Sequence, residues 1–135
     1  MITRRDFFRQ VPARAADTLR QMGGGEMVSA SGLFDMPQER LARAIPRFTG
    51  RKWIVRGGNR LYTTVADTGE EILLIPLDAV DHALLACFGD GRDLQRIAEA
   101  VAESCSLPCN VILDKASRLF LEMARHWVCI PANPL

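Results

Sequence analysis

The sequence predicts an α+β fold, a three-stranded antiparallel β-meander followed by three helices and preceded by a helical N-terminal extension. Two observations carry the prediction. Residues 51–75 contain three short runs rich in β-formers, separated by turns with glycine and asparagine or aspartate. Residues 77–126 contain three segments whose apolar side chains recur every three or four positions, as on the buried face of a helix.

Composition is that of an ordinary globular protein of one domain plus an extension. The chain has 135 residues, of which 48% are hydrophobic and 24% charged, and no apolar run approaches the roughly 20 residues needed to span a bilayer. Residues 1–60 carry 12 Lys/Arg against 5 Asp/Glu, whereas residues 61–135 carry 5 against 11. This asymmetry fits a solvated mixed surface, or a basic arm that docks on the acidic globule or on a partner. Four cysteines do not make a disulfide framework, so a reducing, cytoplasmic compartment is expected.

Residues 1–22 begin with a motif that resembles a twin-arginine export signal, Thr3-Arg4-Arg5-Asp6-Phe7-Phe8-Arg9. No apolar segment of 7–15 residues follows it, so we expect an amphipathic helix rather than a cleaved signal. Its stripe of Phe8, Val11, Ala15, Leu19 and Met22 would dock on a partner or on the protein's own core. An alternative function rests on this motif alone: a cytoplasmic accessory factor for a redox or exported enzyme.

Residues 23–50 are predicted to form a linker and a short helix. Gly23-Gly24-Gly25 and neighbouring serines indicate the linker over residues 23–35. Pro37 would begin a helix over Gln38–Ile45, which Pro46 would end. We expect this region to be an accessory segment to the domain formed by residues 51–135.

That domain begins with the meander. Alternation around Trp53–Arg56, then Leu61–Val65, then Ile72–Ile75 predicts three strands, turned at Gly57-Gly58-Asn59 and Asp67-Thr68-Gly69. A three-stranded sheet needs helices on one face.

The three helices are punctuated by glycine, aspartate and proline. The first follows Pro76, and Gly89-Asp90-Gly91 ends it. Asp93 is the predicted N-cap of the second, and the third begins after Pro108 and runs to about His126. The last apolar run, Trp127–Ile130, is expected to be a final strand or an extended tail against the meander.

The spacing of Leu73-Leu74-Ile75-Pro76 and of Asp90-Gly91-Arg92-Asp93-Leu94-Gln95-Arg96-Ile97 resembles the PqqD family. The resemblance covers roughly residues 51–130. PqqD proteins act in pyrroloquinoline quinone biosynthesis, and related domains recognise the precursors of ribosomally made, modified peptides. The resemblance implies a winged-helix-like domain, without catalytic activity or cofactor, that captures a precursor or leader peptide and presents it to a modifying enzyme.

The resemblance also implies where the peptide lies. It would add as a strand beside the third strand and pack in a groove with the third helix. The positions that match are Glu71, Ile72, Leu73, Leu74, Ile75, Leu113, Lys115, Ala116 and Arg118. The competing interpretation is that some of these side chains are simply core, and we expect it to hold for Leu73, Ile75, Leu119 and Phe120. An exposed edge on the third strand would also permit a homodimer.

The remaining motifs do not support catalysis or a metal site. Cys105 and Cys109 have loose zinc-ligand spacing, but His126 and Cys129 lie at the opposite end of the third helix, roughly 25 Å away at 1.5 Å per residue. Cys105 and Cys109 form a candidate redox pair instead. His82 lies one helical turn after Asp78, without a nucleophile in reach, so we expect a surface pair.

A second function class is nucleic-acid binding. Seven cations interleaved with Phe48 and Trp53 favour it: Arg40, Arg43, Arg47, Arg51, Lys52, Arg56 and Arg60. The third helix argues against it, because its cations are matched by acidic residues, unlike those of a recognition helix.

Overall fold

The computed structural model describes residues 30–65 and 67–135. In chain order the elements are α1 (Ala30–Phe34), α2 (Gln38–Leu41), β1 (Pro46–Phe48), β2 (Trp53–Arg56), β3 (Arg60–Thr64), β4 (Glu71–Pro76), α3 (Ala79–Cys87), α4 (Leu94–Cys105), α5 (Cys109–Arg125) and β5 (Cys129–Pro131). The amphipathic helix expected over residues 1–22 lies outside the described residues. Among the helices of the described part, none has the length and apolarity that crossing a membrane requires.

The predicted three-stranded antiparallel sheet is confirmed, in the order β2–β3–β4. Tyr62 in the middle of β3 lies opposite Ile54 on one side and opposite Leu73 on the other. Gly57 and Gly58 turn the chain between β2 and β3 with φ of +63° and +75°, a backbone region that glycine enters at little cost.

A bulge interrupts the pairing of β3 with β4. Leu61 is paired with Ile75 and Tyr62 with Leu73, which leaves Leu74 as an extra residue. The alternation of faces is broken at this point, and the adjacent side chains of Leu74 and Ile75 are both buried. Because of the bulge, two consecutive side chains at the end of β4 pack in the core.

The three predicted helices after the sheet are present, and their capping residues explain where they begin. Asp78 and Asp81 form a capping box at α3, in which each side chain accepts the backbone N–H of the other residue. Asp93 is the N-cap of α4, as predicted, and its carboxylate accepts the Arg96 N–H at 2.8 Å. The helix α5 packs against α3, α4 and β4, so it lies at the centre of the globule.

The last strand does not join the three-stranded sheet. It pairs instead with β1 as a separate two-stranded antiparallel sheet, with Pro46 opposite Pro131 and Phe48 opposite Cys129. The tail is fixed further by Asn133, whose side chain accepts the Ile45 N–H at 2.9 Å and donates to the Arg43 carbonyl. The expected final strand is therefore present, but the expectation that this segment lies against the meander is corrected. Pro46 does not merely follow a helix but begins a strand, at a terminal position where its missing N–H is tolerated.

Residues before the meander contribute to the same core as the helices. Leu33, Leu41 and Ala44 are buried in it, and the carbonyls of Ala42 and Ala44 accept the N–H groups of Gln95 and Leu94 at 2.9 Å. The helix predicted over Gln38–Ile45 begins after Pro37 as expected but ends at Leu41. The described part of the expected linker and accessory segment is thus packed into the globule.

Candidate functional site

The strand β4 lies at an edge of the sheet and pairs with a neighbour on one side, within the part of the chain that the structure describes. Val65 N–H donates to the Glu70 carbonyl at 2.7 Å, which makes these residues a hydrogen-bonded pair of the β3–β4 hairpin. Bonded and non-bonded pairs alternate in an antiparallel ladder. The pairs Thr64–Glu71 and Tyr62–Leu73 are therefore non-bonded, and the backbone N–H and C=O groups of Glu71 and Leu73 point away from β3.

The five predicted β4 residues divide into a core group and an open group. Leu74 and Ile75 are buried at 8% and 5% exposure. Leu73 is 47% exposed, so the expectation that it is core is wrong, whereas the same expectation is confirmed for Ile75, Leu119 and Phe120. Ile72 is half-buried, and the exposed Glu71 is ion-paired across the sheet with Arg56. Leu73 and Glu71 supply both the open backbone groups and the side chains beside them.

The four predicted residues of α5 do not share one face. Ala116 is fully buried, and Leu113 is half-buried against the core. Lys115 is half-buried, and Arg118 is exposed. At about 100° per residue, Leu113 and Lys115 lie roughly 160° apart around the helix. Lys115 points toward the end of β4, because its ammonium contacts Asp78 two residues after that strand.

A carboxylate pair and Lys115 form the most polar cluster beside this edge. Lys115 Nζ donates to Asp78 Oδ2 and lies 4.0 Å from Asp81 Oδ1. The hydrogen bond from Lys115 lowers the pKa of Asp78 to about 2, and burial raises the pKa of Asp81. Asp81 is 2% exposed, and its Oδ1 has no hydrogen-bond partner among the residues that the structure describes. The arrangement stabilises the start of α3, and the Asp81 carboxylate is buried with only one of its two oxygens hydrogen-bonded among the described residues.

The surface pair expected between Asp78 and His82 is not formed. The Asp78 side chain is engaged by Asp81 and Lys115 instead. His82 Nε2 lies in hydrogen-bond contact with the Gly58 carbonyl, so this ring joins α3 to the β2–β3 turn.

The residue types of a metal site are dispersed. Among the described residues, no three His, Cys, Asp or Glu side chains lie close enough together to hold a metal ion. Cys105 and Cys109 flank the α4–α5 turn as free, half-buried thiols, and Cys129 is buried in β5. Burial raises the pKa of Cys129 to about 12, so this thiol is a packing group.

Two of the three cations on α5 are engaged within the fold. Lys115 binds Asp78, and Arg125 pairs with Glu122 and stacks over Phe34. A recognition helix directs its cations outward to phosphates and bases. The helix α5 therefore offers little to nucleic acid.

Sequence reasoning missed two features of the structure. One is the capping role of Asp81, which the spacing of Asp78 and Asp81 does signal. The other is an open cavity of about 430 Å³ beside β2, where Phe48 and Trp53 stack with ring centroids 5.4 Å apart. No local pattern shows this cavity, because its walls come from separate segments of the chain.

Comparison of the chain with protein-family models, with curated proteins and with solved structures finds no match. The resemblance to the PqqD family stays a prediction from the residues that carry it.

Proposed function

We propose that this chain is a non-catalytic module that captures a precursor or leader peptide by β-strand addition at β4 and presents it to a modifying enzyme. The observation that carries the proposal is the open edge of β4, where Leu73 is 47% exposed in the middle of an edge strand. In strand addition, backbone hydrogen bonds supply affinity and alternate side chains supply selectivity. The open N–H and C=O groups of Glu71 and Leu73 provide the first of these, and the exposed Leu73 side chain the second.

The surroundings of the edge support the same proposal. The buried Leu74 and Ile75 hold β4 rigidly, so an added strand meets an ordered template. The helix α5 packs against β4 and supplies one wall beside it. We propose that β2–β4 and α3–α5 together form the winged-helix-like unit that the resemblance implies. Unpaired thiols at all four cysteines fit a cytoplasmic location for this module.

A proline scan of the edge tests the proposal. Leu73→Pro removes an N–H that points away from β3, so the β3–β4 ladder keeps its bonds. Leu73→Ala keeps the N–H and shortens the side chain. Overlapping peptides from the short reading frames beside the gene serve as ligands, and fluorescence polarisation measures binding. One backbone hydrogen bond contributes about 1 kcal/mol, so Leu73→Pro should bind about fivefold more weakly than Leu73→Ala.

Two controls make the result decisive. Ile72→Pro removes an N–H that bonds to β3 and should lower the unfolding midpoint, whereas Leu73→Pro should leave it nearly unchanged. Sedimentation velocity shows whether a second copy occupies the edge instead. Two results refute the peptide-binding role. One is a peptide that binds the parent chain, Leu73→Pro and Leu73→Ala equally. The other is a dimer that Leu73→Pro converts to monomer, with no peptide binding to any form.

A further inference from the structure

An apolar row of side chains crosses the three-stranded sheet and ends at the open edge of β4. Ile54 on β2 pairs with Tyr62 on β3, and Tyr62 pairs with Leu73 on β4. Residues that lie opposite each other in an antiparallel sheet point to the same face. Leu61 and Thr63, the neighbours of Tyr62 in β3, are fully buried. The row therefore lies on the outer face, the side of the sheet that is turned away from the core.

The row is accessible at both of its ends. Ile54 is 41% exposed and Leu73 is 47% exposed, whereas Tyr62 between them is half-buried. The ion pair of Arg56 with Glu71 lies on the same face, because each of its residues is two positions from an end of the row. The charge of Glu71 is thus matched within the sheet, and Leu73 offers an apolar surface at the open edge.

A strand that adds at β4 extends this row. The N–H and C=O groups of Leu73 point away from β3, and their hydrogen bonds fix which residue of the added strand lies opposite Leu73. We call this residue of the ligand the register position. Its side chain points to the outer face in either strand direction, beside the Leu73 side chain. An apolar group there covers Leu73, whereas a charged group loses water without gaining a partner.

A second copy of this chain does not extend the row. The bulge at Leu74 leaves the residues from Glu71 to Leu73 as the regular part of β4 before it. Two copies that pair antiparallel over this part place Leu73 of one copy opposite Glu71 of the other. An apolar side chain then faces a carboxylate, so the edge is better matched to a peptide with an apolar residue than to its own copy.

We propose that the peptide captured at β4 carries an aliphatic or aromatic side chain at the register position, as the fourth member of the row. This inference rests on the proposed function and adds the class of peptide that the edge selects, an extended segment with an apolar residue opposite Leu73. The Leu73 side chain then determines specificity, while its backbone groups supply affinity.

A reversal of side-chain preference tests the inference. The probe is the peptide from the neighbouring reading frames that binds most tightly, with each residue replaced in turn by glutamate. Fluorescence polarisation at low salt compares these peptides on the parent chain and on Leu73→Lys. At one position the parent chain should prefer the apolar residue by about fivefold, and Leu73→Lys should prefer glutamate by about threefold. Positions on the other face of the peptide should show no reversal.

A matched control separates this effect from a change in net charge. Leu107→Lys makes the same substitution at a leucine that is 42% exposed in the turn between α4 and α5. It should change the affinity for every peptide by less than about twofold, because a distant surface charge is screened. Melting curves show whether Leu73→Lys keeps the fold. If it melts early, Leu73→Glu with lysine-substituted peptides makes the same test with the charges exchanged.

The outcomes separate this inference from the proposed function. A peptide that Leu73→Pro weakens, but whose preference reverses at no position, leaves strand addition in place and refutes the apolar register position. Equal effects of Leu73→Lys and Leu107→Lys refute it as well. Absence of any peptide binding to the parent chain refutes the proposed function and the inference together. A dimer that Leu73→Lys converts to monomer, with no peptide bound, assigns the row to a second copy instead.

Discussion

Lys115 is the only cation beside the buried Asp81 carboxylate among the described residues, and replacing it with methionine tests what that charge contributes. At 4.0 Å and an effective dielectric constant of about 20, the Coulomb attraction is about 4 kcal/mol before desolvation. Desolvation of the 26% exposed lysine side chain offsets much of this. The ion pair with the 53% exposed Asp78 side chain adds at most about 1 kcal/mol, because solvent screens it. We expect Lys115→Met to lower the free energy of unfolding by about 2 kcal/mol at neutral pH.

The loss should depend on pH with a defined sign. Removing Lys115 raises the pKa of Asp81 beyond the rise that burial already causes. A carboxyl group with a raised pKa in the folded state destabilises the fold above that pKa, and protonation relieves the penalty as the pH falls. The deficit of Lys115→Met against the parent chain should therefore shrink from pH 7 toward about 4. The part due to Asp78 should persist over this range, because its pKa of about 2 keeps it ionised.

Urea denaturation at several pH values measures the effect, in a double-mutant cycle with Asp81→Asn. The asparagine removes the buried charge, so Lys115→Met should cost about half as much in that background. Arg118→Met is the matched control on the same helix, and it should change stability by less than about 0.5 kcal/mol. A pH-independent loss, or a loss equal in both backgrounds, would show that Lys115 acts through packing and that the charge argument is wrong.

Three further predictions concern other parts of the fold. Asp93→Ala should cost about 1 kcal/mol in urea denaturation, because it removes the acceptor of the Arg96 N–H at the start of α4, and Asp93→Ser should recover most of it. Leu33→Ala should lower the free energy of unfolding by about 3 kcal/mol, since this side chain is 2% exposed in the common core. A loss below about 1 kcal/mol would show that α1 does not pack in the core. Cys129 should resist iodoacetamide at pH 8 in the folded chain and react in urea, as counted by intact mass, because its pKa of about 12 keeps it protonated. Rapid labelling without urea would contradict its burial.

Local chemistry explains which parts of the fold could be predicted. Asp93 and the glycines at residues 57 and 58 act on neighbouring backbone, so their signals are complete within a few residues. The pairing of β1 with β5 joins segments about 80 residues apart, and neither strand is long enough to show a period of two. This pairing depends on where the end of α5 places the residues that follow it, and no local sequence pattern encodes that position.

The candidate site shows the same limit at one residue. Ile72 to Ile75 is a continuous apolar run, so periodicity cannot say which side chain faces outward. The bulge determines which side chain faces outward, because it buries the adjacent Leu74 and Ile75 and leaves Leu73 exposed. On α5, the family resemblance selected positions on different faces, and only the packed structure separates Leu113 from Lys115.

The distribution of charge differs between the two edge strands of the sheet, and it supports the proposal that a strand adds at β4 rather than at β2. Exposed edges invite pairing with other chains, and charged residues or proline commonly oppose it. On β2, Lys52 precedes the strand of four residues and Arg56 is its last residue. The longer β4 carries its blocking residues at its ends, Glu71 and Pro76, and Glu71 is neutralised by Arg56. Between them the open backbone of Leu73 lies beside its own exposed apolar side chain. The strand β4 carries a charged residue and a proline at its ends but an open backbone in its middle. This is the pattern that the proposed addition of a peptide strand requires.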